Sequence, residues 1–172
     1  MTLFSILTGI VESLRSFRGA LLVQVQSSGL WTGRQFRQYR VFTGAQQLRF
    51  NATKPFILSH QVLYVDDGTA QVRVLTGATL AGTWVNSPTQ TNKNRYSAAA
   101  LAYVQGNYLQ TGGSFTGGVE RELFRADSGG GVGVAYAAIE DNVRVLPAGD
   151  YVFDITVTGS TSGIYSFEWE EL

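Results

Sequence analysis

From Tyr151 to Glu170 the chain alternates, residue by residue, between large apolar and smaller or charged side chains. Tyr151, Phe153, Ile155 and Val157 interleave with Val152, Asp154 and Thr156. After Gly159-Ser-Thr-Ser-Gly163, Tyr165, Phe167 and Trp169 interleave with Ser166, Glu168 and Glu170. A period of two places the aromatics on one face of an extended strand and the carboxylates on the other, which is what a half-buried antiparallel sheet requires. A helix would scatter both sets around its circumference. Pro147 and Gly149 punctuate the entry to this segment, so it reads as strand, turn, strand.

The same grammar fills most of the chain. Strands are predicted at Leu21–Gln26, Arg34–Phe42, Gln47–Asn51, Phe56–Val65, Ala70–Leu75, Val119–Arg125 and Val132–Glu140. Asp66-Asp67-Gly68 is a hairpin signal, because Asp-Gly accepts the positive dihedrals of a tight turn. Residues 76–95 read as a long polar excursion around Trp84 with a short strand at Thr83–Asn86. Ser97–Val104 fits either a helical turn or a strand, and Thr111–Gly118 reads as a glycine-rich loop. Leu3, Ile6, Leu7, Ile10, Leu14 and Phe17 recur at spacings of three and four, which predicts a short amphipathic helix or docking arm over residues 1–18, with Gly9 weakening the helix. The remaining residues, 19–172, form one domain. Roughly eight to ten strands at spacings of about 8–12 residues predict an all-β two-sheet sandwich, a jelly roll first and an immunoglobulin-like sandwich second.

Hydrophobic residues make up 44% and charged ones 15% of the 172, which excludes disorder. With no cysteine, disulfides and thiolate chemistry are excluded. The apolar N-terminus lacks a basic leader and a cleavage site, so it reads poorly as a signal peptide, and no run has the length of a membrane span. Charge is zero overall but segregated. Residues 1–50 carry six Arg against Glu12, residues 51–140 balance, and residues 141–172 carry six acids against Arg144. The basic side chains are mainly Arg, which suits bidentate contacts to protein carboxylates rather than nucleic acid.

Residue constellations for catalysis are weak. His60 is the one histidine and shares a predicted face with Leu58, Val62 and Tyr64, which points to packing. Asp66 and Asp67 lack the spacing of a calcium loop. Glu120 and Glu122 share a face of an uninterrupted strand, as a glycosidase pair would, but alternating charge on a solvated strand accounts for them. The glycine runs lack the Gly-Lys-Ser/Thr of a phosphate loop. Arg34, Arg37 and Arg40, interleaved with Phe36, Tyr39 and Phe42, resemble a single-stranded nucleic-acid platform. Alternation splits that patch between two faces, so inter-subunit ion pairing is the expectation. No enzyme, cofactor, metal, membrane or nucleic-acid partner is predicted.

The stretch Leu48–Val74, together with Leu146-Pro-Ala-Gly-Asp-Tyr-Val-Phe153 and the closing Ile164-Tyr-Ser-Phe-Glu-Trp-Glu-Glu171, resembles small virion proteins of tailed bacteriophages, of the head decoration or cement type. The resemblance covers about a third of the chain and carries no catalytic residues. It implies a sandwich on the outside of the capsid, often trimeric, that bridges major capsid protein subunits. On that expectation the contacts to coat and sister subunits fall on Leu3, Phe4, Leu7, Ile10, Leu14, Arg15, Phe17 and Arg18 of the arm, and on Arg37, Arg40, Glu168 and Glu170. The alternatives are a tail, collar or fibre-base adaptor, and a carbohydrate-binding module using Trp84, Trp31 and Tyr108 as stacking platforms.

Overall fold

The alternating segments become strands, and long-range pairing arranges them in two antiparallel sheets packed face to face as a β-sandwich. The computed structural model describes residues 32–88, 91–93, 102–128, 133–138, 144–159 and 162–172. The arm at 1–18 and the strand predicted at Leu21–Gln26 lie outside the described residues. The strands are β1 (Gln35–Phe42), β2 (Gln46–Ala52), β3 (Phe56–Val65), β4 (Thr69–Thr76), β5 (Thr79–Ala81), β6 (Val85–Asn86), β7 (Thr91–Asn92), β8 (Asn107–Thr111), β9 (Ser114–Thr116), β10 (Val119–Asp127), β11 (Gly133–Ala138), β12 (Arg144–Leu146), β13 (Gly149–Thr158) and β14 (Gly163–Glu171). One sheet runs β11-β3-β14-β1-β7, with β12 also on β3; the other runs β10-β4-β13-β2-β8-β6. β5 and β9 form a separate two-stranded ribbon.

The predicted hairpins are arches. β3 and β4, joined by Asp66-Asp67-Gly68, lie in different sheets, as do β13 and β14. β3 has no edge to offer β4, because β14 takes one side and β11 with β12 the other. β4 is likewise held between β13 and β10. The turn's own polar groups are met from elsewhere: the Asp66 amide donates to the Ser162 carbonyl at 2.9 Å and the Ser128 amide to the Gly68 carbonyl at 2.9 Å. Gly68 sits at φ 76°, in the left-handed region where a side chain is strained.

The core is the space between the sheets. Phe36, Phe42, Phe56, Leu58, Leu63, Val65, Tyr165, Phe167 and Trp169 enter it from one sheet, and Leu48, Phe50, Val72, Val74, Leu109, Phe153 and Ile155 from the other. Phe50 crosses the gap edge-on to Phe167 and Trp169, with ring centroids 5.3 and 5.0 Å apart. The outer face of the second sheet is also covered in part. The β5–β9 ribbon brings Leu80 and Phe115, and the loop brings Trp84, onto Leu75 and Val152. This explains why β13 is buried on both faces from Tyr151 to Ile155. β9 lies within the Thr111–Gly118 segment that the sequence reads as a glycine-rich loop, and β8 runs up to its first residue; Leu109 of β8 is fully buried, yet its flanks carry no alternation to announce it.

Two bulges overturn parity read from sequence. In the β3–β14 pair, Glu168 opposes His60 and Trp169 opposes Leu58, so the extra residue at 59 moves His60 off the core-facing side of Leu58. In β10 the register slips at Arg121: Glu120 opposes Leu75 and Glu122 opposes Val74. Leu75 faces outward and Val74 inward, so Glu120 and Glu122 stand on opposite faces and do not converge.

Candidate interaction surface

Antiparallel pairing of β1 with β14 lays out the exposed face of the first sheet row by row. Gln35 opposes Glu170, Arg37 opposes Glu168, Tyr39 opposes Ser166 and Val41 opposes Ile164. On the other side of β14, Glu170 opposes Ile57, Glu168 opposes His60, Ser166 opposes Val62 and Ile164 opposes Tyr64. One half of the face is therefore charged and the other apolar.

In the charged half, Glu168 is clamped between two cations. Arg37 Nη2 approaches Glu168 Oε1 at 2.5 Å and Lys93 Nζ approaches Oε2 at 2.5 Å. Burial alone would raise the Glu168 carboxyl, but hydrogen bonds from Lys93 and Arg37, and their charges, outweigh it and hold the group below its usual range. Glu170 accepts from Gln35 Nε2 at 3.2 Å and lies 3.7 Å from Arg34 Nη2. Arg40 has the opposite parity to Arg37 and donates from Nε to Gln46 Oε1 at 2.9 Å. The basic N-terminal and acidic C-terminal segments thus meet inside one molecule, as neighbouring strands. Arg37, Arg40, Glu168 and Glu170 have partners in their own chain, and Arg37 keeps 57% of its side chain exposed. Leu3, Phe4, Leu7, Ile10, Leu14, Arg15, Phe17 and Arg18 lie outside the described residues.

Glu168→Gln is expected to cost about 1 kcal/mol of stability at neutral pH, since partly exposed ion pairs are worth about that or less. A carboxyl whose folded pKa is depressed contributes stability that is present above its unfolded pKa and lost as pH falls through the folded one. Urea unfolding of variant and parent should therefore differ at pH 7 and converge in acid below the Glu168 titration. A difference that persists there would assign the loss to packing.

In the apolar half, Val41 is 53%, Tyr39 45% and Ile164 39% exposed, and Val62 and Tyr64 are half-buried. These five form two adjacent rows across three strands. Isolated exposed apolar residues are ordinary, but contiguous ones mark contact surfaces. Alternation along β1 and β14 implies which residues face out, whereas their assembly into one patch follows from a register that sequence does not display.

Two buried polar clusters flank the core. Glu171 is fully buried. It accepts from the Gly106 amide at 3.0 Å, the Asn107 amide at 2.8 Å and the Tyr103 hydroxyl at 3.1 Å, with Lys54 Nζ at 3.3 Å. Burial alone would lower the Lys54 ammonium, but hydrogen bonds to Tyr103 and Glu171, and the Glu171 charge, raise it above its usual value. The cluster fastens the segment before β8 to the last strand. At the opposite edge, Tyr165 donates to Gln61 Oε1 at 2.5 Å and Gln61 Nε2 donates to Glu122 Oε2 at 3.0 Å. Burial first, and the Glu122 charge second, push the Tyr165 hydroxyl well above its usual value. This chain spans the two sheets as structural polar wiring. Trp84 packs against the outer cluster and over Gly113, where an added Cβ would sit 2.2 Å from its ring. The Tyr108 hydroxyl is used by the Gln105 carbonyl at 3.1 Å, and Trp31 lies outside the described residues. No family model, curated protein or solved structure matches the chain.

Proposed function

We propose that the chain is a non-enzymatic virion structural protein that binds the outside of a tailed-phage coat shell and ties neighbouring coat subunits together. Strand order is the observation that carries the reading. Leaving aside β5 to β9 and the short β12, successive strands pass from one sheet to the other except at β4 and β10, which pair within the second sheet, and they build β11-β3-β14-β1 against β10-β4-β13-β2. We infer from this order a jelly roll, two Greek keys wound together, an arrangement used by viral capsid domains as well as lectins and cupins. Fold alone does not assign function. The shell reading also draws on the resemblance of Leu48–Val74 and Leu146–Glu171 to phage head proteins, and on the apolar rows of the first sheet. Weak contacts suffice on a shell, because many copies in fixed geometry multiply them.

On this reading the protein is a homotrimer in solution and the arm supplies the bridge to coat or sister subunits. Light scattering at two concentrations is expected to give a trimer mass, and the protein is expected to co-sediment saturably with empty shells that lack their decoration protein. Deleting residues 1–18 should leave the sandwich folded and abolish both associations. A monomer that leaves every shell in the supernatant overturns the proposal, and a truncated protein that still assembles at full strength removes the arm from it.

A further inference from the structure

The outer face of the second sheet is finished in two ways. Over Leu75 and Val152 the chain lays its own cover of Leu80, Phe115 and Trp84. Beside that cover, strand register sets polar side chains in two adjacent rows. Arg49 opposes Val152 on one side and Gln110 on the other, and Gln110 opposes Asn86. Asn51 opposes Asp150 on one side and Tyr108 on the other. We propose that these rows, Asn51 and Asp150 beside Arg49, Gln110 and Asn86, form a binding site for a neutral glycan. The site stands whether or not the chain is carried on a coat shell.

The side chains are joined before any ligand arrives. Asp150 Oδ1 accepts from Arg49 Nε at 2.8 Å, from Arg49 Nη2 at 2.7 Å and from Asn51 Nδ2 at 3.0 Å. Arg49 Nη1 donates to Gln110 Oε1 at 3.0 Å, and Gln110 Nε2 donates to Asn86 Oδ1 at 2.9 Å. One hydrogen-bonded line therefore crosses β13, β2, β8 and β6, a span of about 14 Å at the usual strand spacing. Groups that hold one another in place lose little rotamer freedom on binding. Arg49 is 20% and Asp150 40% exposed, so the line is anchored yet reachable. All three bonds to Asp150 fall on Oδ1, which leaves Oδ2 as an acceptor beside Asn51 Oδ1, while Asn86 Nδ2 remains a donor.

That mixture selects the ligand. A sugar hydroxyl donates and accepts at once, and neighbouring hydroxyls suit planar groups that offer donors and acceptors side by side. Arg49 is the one cation of the two rows, and Asp150 neutralises it, so a phosphate or polyanion gains little. An apolar ligand would strand the remaining polar groups. The cover forms a wall along one flank: Trp84 lies two residues before Asn86, and the Phe115 amide donates to Gln47 Oε1 at 3.1 Å, two residues before Arg49. Half-buried Tyr108, its hydroxyl held by the Gln105 carbonyl, adds an aromatic ring beside Asn51 that suits the C–H face of a pyranose. So open a face binds weakly at each site, and display of several copies together multiplies it.

The full-length protein is passed over immobilised neutral oligosaccharides of glucose, galactose, mannose and their N-acetylated forms, with sialylated and sulfated glycans alongside. The expected result is retention on at least one neutral glycan, relieved by the same sugar free in solution. Gln110→Ala and Asn51→Ala should each weaken that binding by about tenfold, the loss of one hydrogen bond. Arg125→Ala, 60% exposed on the edge strand β10 of the same sheet, should leave it unchanged. Retention on no neutral glycan overturns the proposal, as does binding confined to the charged ones. Undiminished retention of both alanine variants places the sugar elsewhere and overturns it too. Should a variant misfold, the parent protein decides: the amide resonances of Asn51, Asn86, Gln110 and Asp150 should shift on titration with the retained sugar, and shifts that avoid them overturn the site. No shells enter these assays, so failure of the shell reading registers separately.

Discussion

Phe50→Ala is expected to lower the unfolding free energy by about 4 kcal/mol, within the range for deleting a buried aromatic side chain. Phe50 is 1% exposed and belongs to β2, yet its ring meets Phe56, Phe167 and Trp169 of the opposing sheet at 5.0, 5.3 and 5.0 Å. Its loss removes transfer energy, three edge-on aromatic contacts and the filling between the sheets. Such contacts add about 0.5–1.5 kcal/mol each beyond their area. Equilibrium denaturation gives the number. A loss below about 1.5 kcal/mol would mean that the rings of β3 and β14 collapse into the space, since the penalty scales with the cavity that remains. Phe50→Leu should recover part of the loss by restoring volume without the ring geometry.

Glu171→Ala is expected to cost about 3 kcal/mol, because removing one member of a buried charge cluster strands its partners. The Gly106 and Asn107 amides are buried and their hydrogens point at this carboxylate. Lys54 would keep its contacts with the Tyr103 ring, 4.3 Å from the centroid, and with the Val104 carbonyl at 2.6 Å, but would lose its counter-ion. The damage should be local as well as global: hydrogen exchange at the Gly106 and Asn107 amides should accelerate more than at Phe153 or Phe167. Glu171→Gln keeps an acceptor and should cost less than Ala. Unchanged protection at residues 106 and 107 in the alanine variant would show that the segment before β8 is held by Asn107 and Lys54 instead. Those two already exchange hydrogen bonds, from the Lys54 amide to Asn107 Oδ1 at 2.9 Å and from Asn107 Nδ2 to the Lys54 carbonyl at 3.1 Å.

The long strands were legible because one buried face imposes period two. β3 occupies Phe56–Val65 as read, and β1, β2, β4, β10, β13 and β14 differ from expectation by a residue or two at their ends. β5, β8 and β9 were not legible. They are short, lie among Thr, Gly, Asn and Gln, and owe their order to Leu109 in the core and Phe115 on the outer face. For the candidate surface, alternation set Arg37 apart from Arg34 and Arg40 and put Glu168 with Ser166 and Glu170 on the face opposite the aromatics of the last strand. It failed at His60 and Glu122, where one inserted residue reverses every side chain beyond it, and no local signal marks either bulge.

What the sequence determined by itself was the number and phase of the main strands, the position of the turns and the segregation of charge. Those properties are local, written in side-chain period and in the dihedral freedom of Asp-Gly and Pro-x-Gly steps. What the tertiary structure decided was partnership. A short polar turn between two alternating strands serves equally for a hairpin, with strands side by side, or for an arch, with strands face to face; both bury the same side chains. The choice depends on which distant strand saturates each backbone edge, and here β14 returns from the far end of the chain to lie between β1 and β3. That long-range hydrogen bonding turned basic and acidic termini, which read as mates for a neighbour, into the Arg37–Glu168 and Arg34–Glu170 pairs of a single molecule.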